Sequence, residues 1–148
     1  MGSFHIGGAE RQLIHLLNYL DKDKYEIILF VRTQEGPNKK DLPKRIKVFD
    51  LNTWSKIINR TPLRKIWDEL KTVYLLCRML DKCQPDIVYG NSLYSNFELL
   101  LSTFLIGKNK KIKKVFSVVN NPQRYGLIGQ IITKKFYKRA DLVLACAN

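Results

Sequence analysis

A chain of 148 residues with 45% apolar content is long enough to bury one real core and too short to make a second domain expected, and its density of aliphatic residues excludes a disordered chain. Its 26 basic and 13 acidic side chains leave a net charge of +13, which favours anionic partners (phosphorylated ligands, anionic lipid or nucleic acid) without choosing among them. Cys77, Cys83 and Cys146 are odd in number and lack a metal-type spacing, so they read as packing residues of a reducing cytoplasm, and no metal is expected.

No basic segment followed by an apolar one opens the sequence, so no secretory signal is read. The longest strongly apolar run, Phe97 to Ile106 with Ser102 and Thr103 inside it, falls short of the roughly 20 residues of a spanning helix. A cytoplasmic protein, soluble or peripheral, is expected.

Gly7 and Gly8 lead into an amphipathic pattern from Ala9 to Leu20. Leu13, Leu16, Leu17 and Leu20 recur at three and four, while Arg11, Gln12, His15 and Asn18 face elsewhere, which predicts a one-faced helix with a surface histidine. A helix start leaves backbone N–H groups unpaired and carries about half a positive elementary charge, and glycine admits a phosphate close to the backbone. The Gly7-Gly8 junction is therefore a candidate anion site, although a glycine pair taken alone is more often a plain turn.

After the polar turn Asp21 to Lys24, the run Tyr25 to Val31 is nearly all β-branched and aromatic. It predicts a strand covered on both faces, as in a parallel sheet flanked by helices. Gln34 to Arg45, with Gly36, Pro37 and Pro43, reads as a loop, and Ile46 to Leu51 as a short edge strand. Asn52 to Pro62 stays open: Trp54, Ile57 and Ile58 beside Lys56 and Arg60 suit a short helix on the core or on a membrane surface. Leu63 to Cys83 is the longest helical pattern, with Ile66, Leu70, Val73, Leu76 or Cys77, and Leu80 on one face.

Asp86 to Tyr89 is a short buried strand, Gly90-Asn91-Ser92 a loop and helix cap, and Phe97 to Ile106 an apolar helix stopped at Gly107. Lys108 to Lys114 reads as a solvated basic turn feeding the strand Val115 to Val119. Asn120 to Arg124 is a loop, Tyr125 to Arg139 a helix with Ile128, Ile131, Ile132 and Phe136 on one side, and Leu142 to Ala145 a last strand. The order predicts an α/β fold, a doubly wound Rossmann-like parallel sheet flanked by helices.

These words also stand in a recognisable order. Ile6-Gly7-Gly8-Ala9-Glu10-Arg11-Gln12-Leu13, Tyr25 to Val31, Pro85-Asp86-Ile87-Val88-Tyr89, Val115 to Asn121, and Arg139-Ala140-Asp141-Leu142-Val143 together resemble the N-terminal domain of family-4 (group 1) glycosyltransferases of the GT-B fold. The resemblance implies the acceptor side of a retaining enzyme that moves a sugar from a nucleotide-sugar to a glycan or lipid-linked acceptor, as in cell-envelope polysaccharide biosynthesis. It implies a central strand ahead of Gly7 and a C-terminal domain that binds the donor. On that expectation residues 1–148 are a single domain shortened at both ends and inactive alone, with a separate polypeptide as one source of the missing domain. No cofactor is expected beyond the nucleotide-sugar, which needs that domain.

In an open parallel sheet, ligands bind beyond the carboxyl ends of the strands, which singles out the loops Ser3 to Gly8, Tyr89 to Ser92 and Asn120 to Arg124. Gly7, Gly8, Asn91, Asn120, Asn121 and Arg124 are the expected substrate or phosphate contacts, since amides bind hydroxyls and a guanidinium fork suits phosphate. Each asparagine is also an ordinary turn former. Where the resembling enzymes often carry histidines, after the fourth and fifth strands, this chain has Tyr89, Gly90 and Asn91, and Asn120. An amide does not titrate near neutral pH, so no catalytic residue is assigned.

Trp54, Lys110, Lys111, Lys134, Lys135, Lys138 and Arg139 are the expected contacts with an anionic membrane, on its inner face, through Coulomb attraction and apolar insertion. A plain solvated basic surface is the equal alternative. A basic nucleic-acid module would also use the charge, but no helix-turn-helix, RNP or finger signature supports it. A nucleotide-binding Rossmann domain of another enzyme type is disfavoured, because the glycine word lacks the G-x-G-x-x-G spacing.

Overall fold

The computed structural model describes residues 2–52, 61–107, 111–118 and 133–145. The chain divides into two compact units, residues 1–72 and 73–148, and each carries its own parallel sheet.

In the first unit, helix α1 (Gly8–Tyr19) precedes strand β1 (Ile28–Val31). A 3-10 turn (Pro37–Asp41) and strand β2 (Lys47–Asp50) follow. The strands β1 and β2 pair in parallel, from Ile28 with Lys47 to Val31 with Asp50. Helix α1 buries Leu13, Ile14 and Leu17, so its inner face is turned slightly from the predicted stripe, with Leu16 and Leu20 half-buried at its margin. Arg45 donates from Nη2 to the carbonyls of Leu17 at 2.9 Å and Leu20 at 2.7 Å. A cation there satisfies terminal acceptors and faces the negative end of the helix dipole.

Strand β1 is shorter than predicted. Tyr25 still belongs to the preceding turn, its N–H donating to the Asp21 carbonyl at 3.2 Å, and Tyr25 is exposed. Nor is β1 covered equally on both faces: Leu29 and Val31 are buried, while Ile28 and Phe30 are partly open. The open face is held by an aromatic pair across the ladder, Phe30 and Phe49, with ring centroids 5.8 Å apart.

Helix α2 (Pro62–Cys83) corrects a second expectation. Val73, Leu76 and Leu80 are buried as predicted, but Ile66 and Leu70 are exposed. Periodicity shows which face is apolar, not how far along the helix the core extends.

In the second unit, strands β3 (Ile87–Gly90), β4 (Lys113–Val118) and β5 (Leu142–Ala145) form a parallel sheet in that order. Helix α3 (Leu93–Leu105) makes the crossover and packs on β3 and β4. It starts four residues before the predicted apolar run because Ser92 caps it, and Ile106 and Gly107, the latter at φ 101°, end it. Lys113 and Lys114, expected in a turn, lie in β4: their side chains reach solvent while their backbone pairs with β3. Leu80, Val88, Leu99, Ile112, Phe116 and Phe136 form the core, and Phe136 stacks on Phe116 with centroids 5.6 Å apart. Of the helix predicted over Tyr125 to Arg139, residues 133–137 are helical and 125–132 lie outside the described residues.

Thus the predicted α/β architecture of parallel strands and flanking helices is present. The described strands make a two-stranded and a three-stranded sheet.

Candidate functional site

In each unit a turn at the end of an extended segment leads into a helix, α1 in the first and α3 in the second, and the two are built differently. In the first unit, Gly7 is the N-cap of α1 with extended backbone and no side-chain cap. Its carbonyl accepts the Arg11 N–H at 3.1 Å. The nearest group to Gly7 is the Glu10 carboxylate: a β-carbon on Gly7 would lie 2.1 Å from its Oε2, whereas one on Gly8 would meet nothing within 4 Å. Glu10 therefore folds back over the first turn, where a negative charge is favoured by the helix dipole. The Glu10 carboxylate thus lies against Gly7 at the candidate anion position.

The turn is held from behind by residues that carried no functional signal in the sequence. The Phe4 N–H donates to the Glu35 carbonyl at 2.8 Å, and the N–H groups of Arg32 and Thr33 donate to the Gly2 carbonyl. Asn38, itself buried, donates from its backbone to the Phe4 carbonyl at 3.1 Å and from Nδ2 to the His5 carbonyl at 2.8 Å. Gly36 sits at φ 126°, and a β-carbon there would lie 2.1 Å from the Phe4 carbonyl carbon. Only glycine meets both the dihedral and the approach. The segment before Gly7 is thereby fixed, with Phe4 fully buried. Just beyond β1, Arg32 is ion-paired with Glu69 of α2.

In the second unit, the turn into α3 is closed by side chains. Ser92 accepts the Ser95 N–H at 3.2 Å and the Ser95 hydroxyl accepts the Ser92 N–H at 3.0 Å, a reciprocal capping box. Asn91 is buried beside it and engaged in an interaction of its own. Behind them, Asn96 is fully buried and donates from Nδ2 to the Ser117 carbonyl at 3.1 Å and to the Tyr137 hydroxyl at 3.2 Å. Its Oδ1 has no hydrogen-bond partner and abuts Gly90, where a β-carbon would lie 2.1 Å away. Gly90 is needed for this close approach, not for an unusual dihedral.

Among the expected basic contacts, Lys111, Lys134, Lys135, Lys138 and Arg139 are exposed. Because β4 and β5 are parallel, Lys111 before β4 and Lys138 and Arg139 before β5 lie at the amino edge of the sheet, opposite the Gly90-Asn91 edge. Asp141 organises that amino edge. Its Oδ2 accepts the Lys114 N–H at 2.7 Å and pairs with the Lys114 ammonium at 3.0 Å. The Lys114 N–H first, and then its ammonium, hold the Asp141 carboxyl below the usual range. Trp54, Lys110, Asn120, Asn121 and Arg124 lie outside the described residues.

Burial pushes the Cys77 thiol up, which disfavours the reactive thiolate. Among the described residues no three His, Cys, Asp or Glu side chains gather as a metal site, and no helix is long and apolar enough to cross a membrane.

A family model described as Glycosyltransferase Family 4 matches residues 6–148, from the glycine turn through both units. The chain belongs to glycosyltransferase family 4. No curated protein matches it. In this family 4 chain, both helix starts and the β4–β5 clamp fall within the matched span, and a glycosyltransferase-type function follows from it.

Proposed function

We propose that this chain is the acceptor side of a retaining glycosyltransferase, facing a second domain that binds the nucleotide-sugar. The acceptor is a glycan or a lipid-linked sugar. The observation that carries this reading is the family match beginning at the glycine turn, together with the rigid wall of Phe4, Gly36 and Asn38 that presents that turn. Gly7 and Gly8 offer backbone donors to a phosphate or sugar oxygen, with Glu10 the group to be displaced. Asn120, Asn121 and Arg124 are further proposed oxygen contacts on the family resemblance alone, since they lie outside the described residues. Asn91, being buried, serves by shaping its loop.

Backbone N–H groups, amides and a guanidinium neither take nor give a proton near neutral pH, so their part is to orient an acceptor hydroxyl. Alone, the 148 residues do not transfer sugar. The exposed cations Lys111, Lys134, Lys135, Lys138 and Arg139, with Lys110 and Trp54, bring the domain to the inner, anionic face of a membrane where a lipid-linked acceptor is found.

The test is transfer of radiolabelled sugar from UDP-glucose, UDP-N-acetylglucosamine and GDP-mannose to a polyprenyl-linked acceptor. The isolated chain is expected to give no product, and the chain joined to a family 4 donor domain is expected to give one. Turnover by the isolated chain overturns the division of labour, and failure of every joined form overturns the acceptor assignment.

A further inference from the structure

At its carboxyl edge the sheet of the second unit parts along the seam between β3 and β4. Strand β4 stays paired with β5 as far as Val118 with Ala145, whereas its pairing with β3 ends at Gly90 with Phe116. The Asp86 carbonyl accepts the Lys113 N–H and the Lys114 carbonyl accepts the Asp141 N–H. Alternate residues of β4 therefore turn their backbone to β3 and to β5, and Ser117 turns to β3. One more rung would set the Ser92 N–H on the Ser117 carbonyl. Instead the Ser92 N–H goes to the Ser95 hydroxyl at 3.0 Å, and Asn96 Nδ2 takes the Ser117 carbonyl at 3.1 Å.

Stability alone does not account for an asparagine at this place. Asn96 is fully buried, and its Oδ1 is, among the described residues, the one buried side-chain polar atom without a hydrogen-bond partner. An orphaned acceptor in a core is costly. What the carboxamide contributes lies on its other side, where Nδ2 gives one hydrogen to the Ser117 carbonyl and one to the Tyr137 hydroxyl at 3.2 Å. Its Oδ1 meanwhile fills the space beside Gly90, where β3 ends. One side chain thus touches the ends of β3 and β4 and the helix that precedes β5. Local rules give way like this where function needs a shape that packing does not supply.

We propose that Asn96 is a positioning residue for the acceptor. By ending the β3–β4 ladder at Gly90 it spaces the two chain exits at the carboxyl edge, the side on which open α/β sheets take ligands. Those exits are the turn at Asn91 and the segment leading from Ser117 to Asn120, three residues on in the sequence. The inference rests on the acceptor-side reading above and adds to it the residue that sets the distance between its two loops. Asn96 touches no substrate and acts through the backbone it holds.

The experiment is the transfer assay above, with the chain joined to a family 4 donor domain, run against acceptor and donor concentration in turn. Asn96→Asp keeps the side-chain size and removes both donated hydrogens, and Asn96→Ser is too short to reach Ser117. Each is expected to raise the acceptor KM roughly tenfold while the donor KM holds. Tyr137→Phe, which removes only the second acceptor of Nδ2, is expected to leave the acceptor KM unchanged. Partial unfolding lowers kcat and leaves KM alone, so a purely structural role gives the opposite split. A joined enzyme inactive with Asn96 in place overturns the acceptor reading and this inference with it. Activity with an unmoved acceptor KM in both variants, or a loss confined to kcat, overturns this inference alone. In the isolated chain the Asn96 carboxamide protons are expected to exchange with D2O far more slowly than those of a free carboxamide. Free exchange overturns the inference without any variant.

Discussion

The starts of α1 and α3 are the same local event, a chain turning into a helix, solved in opposite ways. At α3, Ser92 and Ser95 satisfy each other's backbone and Asn96 locks the turn to β4. At α1 the N-cap residue Gly7 supplies no side-chain cap, a β-carbon on Gly8 would meet nothing within 4 Å, and the Glu10 carboxylate leans over Gly7. A closed helix start is a structural joint. A start held from behind by the Phe4 and Asn38 bonds, with the Glu10 carboxylate against Gly7, is the one proposed above for an anionic or hydroxylated ligand.

The largest effect is expected behind the open start. Gly36→Ala combines a dihedral that L residues rarely adopt with a clash against the Phe4 backbone, and should cost about 3–4 kcal/mol in denaturant unfolding. Gly90→Ala drives a methyl into Asn96 Oδ1 and should cost about 2–3 kcal/mol. The loss should be recovered in part by Asn96→Ala, which removes the obstacle along with its hydrogen bonds. If Gly90→Ala were neutral, the joint would not be closed in the way described. Ser92→Ala removes the cap of α3 and should cost about 1 kcal/mol.

The smallest effect concerns pH. Asp141 is held below its ordinary range by Lys114. Its ionised form thus adds stability above the unfolded carboxyl pKa of about 4, and the contribution is lost as pH falls through the lowered folded value. With half of that side chain exposed, the difference between the native chain and Asp141→Asn should stay under about 1 kcal/mol near neutrality. It should vanish in acid unfolding series carried below the folded value. A difference that grew with acidification would contradict the clamp.

Much of this was legible in the residues. The strands at Ile87, Val115 and Leu142 and the helices at Ala9 and Leu63 follow from uninterrupted apolar patterns, and Ser92 was readable as a cap. What was not legible depends on contacts distant in sequence. Nothing near Gly36 says that Phe4 will lie against it, and nothing near Gly90 announces Asn96. Tyr25 looked like strand because its side chain suits one, yet its backbone was taken by Asp21. Ile66 and Leu70 matched the helical stripe although no core reaches them. For the site, the glycine pair was visible, but Glu10 as its occupant was not, because a carboxylate in a first turn is equally at home pointing to solvent.

The most direct test of the contrast between the open and the closed helix start is a titration of the 15N-labelled chain with inorganic phosphate, followed at its backbone amides and repeated in Gly8→Ala. A β-carbon on Gly8 meets nothing in the fold, so this variant should be at least as stable as the native chain, by up to about 1 kcal/mol, while binding phosphate more weakly. Saturable shifts at Gly7, Gly8 and Ala9 that diminish in the variant are the predicted result. Shifts centred on Ser92 to Ser95, or identical titrations of the two proteins, would contradict it.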